Sequence, residues 1–129
     1  MSVINFDEYT HELTELERKC VDIMVERFRS RRVGSAVKNS QIAKFFLDTH
    51  KIKLGGARIR KCVNYIRANG LVSNLVATSK GYYVTENPEE IRKYVYSLRQ
   101  RSNAIKRIAD AMEAQLFNSQ HIKEAANGI

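Results

Sequence analysis

The residues best suited to chemistry lie close together. Arg58, Arg60, Lys61, Asn64 and Arg67 fall within "KLGGARIRKCVNYIRANGL", residues 53–71, and no acid occurs from Gly55 to Asn69. The chemistry such groups do is recognition rather than bond making. Guanidinium and ammonium groups bind phosphate oxygens, Arg or Lys can read a guanine edge, and Asn can read an adenine edge. At 100° per residue, Ile59, Val63 and Ile66 form one face, with Cys62 at its edge. Opposite them lie Ala57, Lys61, Asn64 and Ala68. Arg60 and Arg67 flank that face on one side, Arg58 and Tyr65 on the other. Small residues at the centre permit close approach to a groove. Gly55 and Gly56 keep the helix start clear, so its N–H groups can meet a phosphate. Lys53 precedes them. The competing reading is an amphipathic helix whose soluble face is basic because Arg and Lys favour helices.

The charge distribution supports a polyanionic partner. The net charge is +8. Residues 1–17 carry −5, residues 18–67 carry +11, residues 68–90 carry −2 and residues 91–129 carry +4. A block so basic within a globular sequence suits phosphates or an acidic protein surface. No acid cluster, nucleophile elbow or phosphate loop occurs, so an enzyme is not expected. His11, His50 and His121 are scattered and no Cys-x-x-Cys exists, so neither metal nor other cofactor is expected. Cys20 and Cys62 fall at apolar helix positions and read as reduced core thiols.

Several elements must position the basic segment. Thr14 and Glu17 form a capping box, after which Leu16, Cys20, Ile23, Met24 and Phe28 mark a helix over about 14–30. Ala36 and Val37 suggest a short strand. Asn39 or Ser40 caps a second helix with Ile42, Phe45 and Phe46 inward. Residues 48–56 form a long connection. The basic helix covers about 57–69 and stops at Gly70. Then "LVSNLVATSKGYYVTEN" loses helical period and reads as a β-hairpin, about 72–77 and 82–85, turning at 78–81. Asn87, Pro88, Glu89 and Glu90 start a last helix. It meets no breaker until near Asn118, a length of ~43 Å.

On that last helix Ile91, Val95, Leu98, Ser102, Ile105, Ala109, Met112 and Leu116 alternate spacings of four and three, a heptad seam. A domain of about ninety residues leaves its second half uncovered. Leu98, Ile105, Ile108, Met112 and Leu116 are therefore candidate homodimer contacts. Fold-back against Val3, Ile4 and Phe6 is the alternative. The fold class is mainly α with a small β-hairpin. The chain divides into an arm (1–13), a folded domain (14–87), a long helix (88–117) and a tail (118–129).

The order helix, short strand, helix, helix, hairpin, helix resembles the winged helix-turn-helix family over about 14–85. "KNSQIAKFF" corresponds to the positioning helix, "ARIRKCVNYIRANGL" to the recognition helix and "SKGYYVT" to the tip and return strand of the wing. The continuation "NPEEIRKYVYSLRQRSNAI" resembles small bacteriophage-encoded winged-helix proteins in which one long helix follows the wing. The resemblance implies binding of duplex DNA by the recognition helix and wing, as a regulator of transcription or a replication accessory. A two-fold dimer would read a palindromic site. The implied contacts are Lys53, Gly56, Arg58, Arg60, Lys61, Asn64, Tyr65, Arg67 and Lys80. One of Tyr82 and Tyr83 should be core and the other outward, where it could stack on an unpaired base. Arg29, Arg31, Arg32 and Lys38 could reach phosphates or simply line a solvated loop. The same fold also serves as a protein-interaction module, which here could grip a host nucleoprotein such as an RNA-guided nuclease. RNA is a third ligand. No run long enough to span a membrane and no leader-like start occur, which implies residence in the cytoplasm where the protein is made.

Overall fold

The computed structural model describes residues 12–127, with side chains described to residue 119. The order is α1 (Glu15–Phe28), a 3₁₀ turn (Val33–Ser35), α2 (Asn39–His50), α3 (Gly56–Ala68), β1 (Leu75–Thr78), β2 (Gly81–Val84) and α4 (Pro88–Asn127). The fold is mainly helical with one antiparallel hairpin and a long C-terminal helix. The chain divides into two compact units, with the boundary after Ile91. Residues 1–11 of the expected arm, including Val3, Ile4 and Phe6, lie outside the described residues, as do the side chains of most of the expected tail, whereas Leu13 is buried in the core.

α1 begins at the expected capping box. The Glu17 backbone N–H donates to Thr14 Oγ1 at 3.1 Å, and the Thr14 N–H donates to Glu17 Oε1 at 2.9 Å. Cys20, Val21, Met24 and Phe28 are buried, while Leu16, expected inward, is exposed. The buried stripe of α1 runs through Glu17 instead, an acid on an apolar face.

The strand expected at Ala36–Val37 is a single bridge. The Val37 N–H donates to the Tyr82 carbonyl at 3.0 Å, and the Tyr82 N–H returns to the Val37 carbonyl at 2.8 Å. Neither Asn39 nor Ser40 caps α2. Lys38 is the N-cap, and its N–H donates to Gln41 Oε1 at 2.8 Å. Asn39 is already helical, and its buried Oδ1 has no hydrogen-bond partner. α2 continues to His50, so the connection to α3 is shorter than the sequence suggested. Lys51 turns the chain at φ 57°, and buried Ile52 and Leu54 anchor it. The linker is thus part of the core rather than a surface excursion.

α3 closes as its glycine foretold. Gly70 has φ 64°, the Leu71 N–H donates to the Ile66 carbonyl at 3.0 Å and the Gly70 N–H to Arg67 at 3.3 Å. This satisfies two carbonyls of the last turn. The hairpin is shorter than expected. Its register pairs Leu75 with Val84 and Thr78 with Gly81, so Ser79 and Lys80 alone make the turn. Ile59, Cys62, Val63 and Ile66 of α3 pack with α1 and α2 residues and with Leu75 and Tyr82 in one core. The Phe28 and Tyr82 rings, 5.8 Å apart, tie α1 to β2.

α4 opens with the Asn87 side chain accepting from the Glu89 N–H at 3.0 Å. Glu90 reaches back to the hairpin, accepting from the Tyr83 hydroxyl and from Thr85 Oγ1. The helix does not stop near Asn118. It runs to Asn127, 40 residues in all, about 60 Å. "HIKEAAN" contains no breaker, so nothing local ends it earlier.

Candidate nucleic-acid interface

The basic helix presents a different face from the one a helical wheel gives. Ala57, Arg60, Tyr65 and Ala68 are exposed, with Asn64 and Arg67 half-buried beside them. Arg67 donates to Asn64 Oδ1. A Cβ built on exposed Gly56 would meet Arg60 Nη1 at 3.2 Å. The Arg60 guanidinium therefore lies back over the first turn of α3, beside the helix's unpaired N–H groups. Lys53 and Lys80 are exposed, the latter at the hairpin tip.

Lys61 does not stand at the centre of the outward face. Its ammonium turns back to Glu17 Oε1 at 2.8 Å, and only 12% of its side chain is exposed. Arg58, one turn earlier on the same edge, places Nε 3.4 Å from Glu17 Oε2 and is 42% exposed. A wheel fixes where a Cβ points, but a four-carbon stem can carry its charge to the edge of a helix. Buried Glu17 supplies the reason it does so. Burial alone would raise its pKa. The Lys61 hydrogen bond, the Thr14 N–H, the Lys61 charge and Arg58 together outweigh that and hold it at about 2, down from 4.5. Glu17 was missed as a partner of α3 because the capping box already accounted for it. Its signal was spacing: 17, 20, 21, 24 and 28 form one stripe.

Tyr82 and Tyr83 are both buried, so neither offers a ring for stacking. Val37 bridges to the backbone of β2 on one side, and Glu90 holds the Tyr83 hydroxyl on the other. The loop arginines fold onto their own turn. Arg31 Nη1 donates to the Ser35 carbonyl at 3.1 Å, and Arg32 Nη1 to the Arg29 and Arg31 carbonyls, each at 3.1 Å. Arg32 also lies 3.6 Å from Glu86. A hollow of about 270 Å³ separates Lys38 and Asn39 from the hairpin at Ala77–Ser79.

Cys20 and Cys62 are unbonded to each other and fully buried. Burial pushes both thiols up, Cys62 to about 12 with further help from Glu17, so neither is a nucleophile at neutral pH. Among the described residues no group of His, Cys, Asp or Glu could hold a metal ion, and no helix is long and apolar enough to cross a membrane. No family model, curated protein or solved structure matches this chain.

On the second unit, Ile105, Ile108, Met112 and Leu116 are each 60–67% exposed, and Leu98 is 39% exposed. The expected dimer contacts thus form an apolar stripe open to solvent.

Proposed function

We propose that this chain is a non-enzymatic protein that binds duplex nucleic acid through α3 and the hairpin as a winged helix does, and that it acts as a homodimer paired through α4. The observation that carries the reading is the exposed ridge of α3. Ala57 and Ala68 leave room for close approach, Arg60 lies over the helix N-terminus, and no acid interrupts the segment from Gly55 to Asn69. Lys53 and Lys80 extend the positive surface on either side. In this reading Arg60 and the α3 N–H groups take a phosphate, and Asn64 faces base edges. Arg58 and Lys61 contribute field rather than direct contacts, because Glu17 holds them.

Fluorescence anisotropy with a labelled DNA duplex across a salt series tests this. About 5 to 8 phosphate contacts per protomer give a log–log slope of roughly −4 to −7. Arg60→Ala should cost about 1–3 kcal/mol and flatten the slope by about one. Glu89→Gln, remote from α3 in sequence, should change neither. A salt-independent signal, or equal losses from both substitutions, removes the proposal.

A further inference from the structure

The seam on α4 has a polarity of its own. Six basic residues and no acid occur from Arg92 to Arg107, whereas Asp110 and Glu113 are the only charges from Ile108 to Ser119. Two such helices laid parallel put the basic halves together. Laid antiparallel, each basic half meets the other helix's acidic half.

The layers of the seam discriminate further. In a parallel pair every seam residue meets its own copy, so Ser102 meets Ser102 and Ala109 meets Ala109. Those two layers are underfilled. In an antiparallel pair centred on residue 107, Ser102 faces the partner's Met112 and Ala109 faces the partner's Ile105. Leu98 faces the partner's Leu116. Small residues then sit opposite large ones through the middle of the seam, the arrangement that fills a helix interface.

The edges of the seam give a third, independent count. One edge carries Arg99, Lys106 and Glu113, the other Arg101, Ile108 and Gln115. A parallel pair sets unlike edges together, so Arg101 faces the partner's Lys106 and Ile108 faces the partner's Glu113. Reversing one helix sets like edges together. Arg99 then meets the partner's Glu113 twice per dimer, and Ile108 meets its own copy on the two-fold axis. This accounts for an isoleucine, 61% exposed, that lies off the seam. The two Lys106 groups also approach across the axis, but each is held by Asp110 of its own helix at 2.9 Å.

We infer that α4 pairs with a second copy of itself as an antiparallel two-helix coil centred near residue 107. The inference rests on the homodimer part of the proposed function and not on nucleic-acid binding. The two copies of Arg92 then lie about 45 Å apart along the coil, so the chains enter the pair from opposite ends.

Disulfide trapping in the full chain tests the orientation. Cys20 and Cys62 are fully buried and leave the added thiols as the reactive ones. Ser102→Cys alone places its two thiols about 15 Å apart along the axis in the antiparallel pair, and side by side in a parallel one. Air oxidation should leave S102C uncross-linked and convert S102C/M112C to a covalent dimer on a non-reducing gel. Charge reversal adds a readout that needs no cysteine. Arg99→Glu should weaken the dimer about 2- to 10-fold by sedimentation, and adding Glu113→Arg should restore it. A cross-linked S102C, or a double reversal without rescue, overturns the antiparallel assignment and leaves dimerisation standing. A monomer at tens of micromolar overturns both, whatever the anisotropy assay shows.

Discussion

Glu17 does three jobs with one carboxylate. It closes the cap of α1, neutralises Lys61 and holds Arg58 beside α3. A buried ionised carboxylate is costly to strand, so these partners act as a set. The sign of its pH dependence follows. Its folded pKa lies below the unfolded value, so its stabilisation is complete above about 4.5 and is lost as pH falls towards about 2. The shift corresponds to about 3 kcal/mol. Urea unfolding between pH 6 and pH 2 should show that loss, and Glu17→Gln should remove most of the dependence while lowering stability at pH 6. An unchanged acid profile in the variant would assign the acid sensitivity to other groups. The wheel put Lys61 in the wrong place for the same reason that Glu17 escaped notice. Both depend on which helix packs beside which, and periodicity within one helix carries no information about that.

At the scale of elements, the hairpin is placed by a close backbone approach. Gly81 has φ 115°, and a Cβ there would lie 2.5 Å from the Val37 carbonyl oxygen. The bridge between Val37 and Tyr82 therefore needs glycine at 81 for both conformation and space. Gly81→Ala should cost about 1–3 kcal/mol in a thermal or urea melt. Gly34→Ala, where nothing lies within 4 Å, should stay within about 0.5 kcal/mol. Equal effects would show that the bridge does not fasten the hairpin. The helices, the hairpin and their order were legible because the caps of α1 and α4, Gly70 and the change of period at Leu71 are local signals. The strand at Ala36–Val37 and the outward tyrosine were misread. A two-residue bridge has no periodicity, and alternation along β2 fails when both of its faces are covered.

At the scale of the whole molecule, the first unit has one continuous core, and Cys20 and Cys62 sit within it, fully buried. Neither thiol becomes accessible by fraying of an end. Their reaction with an aromatic disulfide reagent should be negligible in native buffer at pH 8 and should appear together with the loss of helical circular dichroism in urea. Reaction before unfolding would mean that α1 and α3 separate locally. The second unit has the opposite character, with a stripe that must find another surface or stay wet. The heptad seam was legible from spacing alone, and so were the large and small residues along it.

The sequence by itself determined the helices, the hairpin and their order, the basic segment without acids and the apolar spacing along the last helix, because each is written in residues three to seven apart. Tertiary structure alone decided which charges of that segment face outward. The approach of α1 to α3 brings Glu17 within hydrogen-bonding distance of Lys61 across 44 residues of chain, and a buried carboxylate draws in cations that the wheel had assigned to a groove. Packing also drew the linker into the core, since Ile52 and Leu54 lower the free energy only once a core exists to receive them.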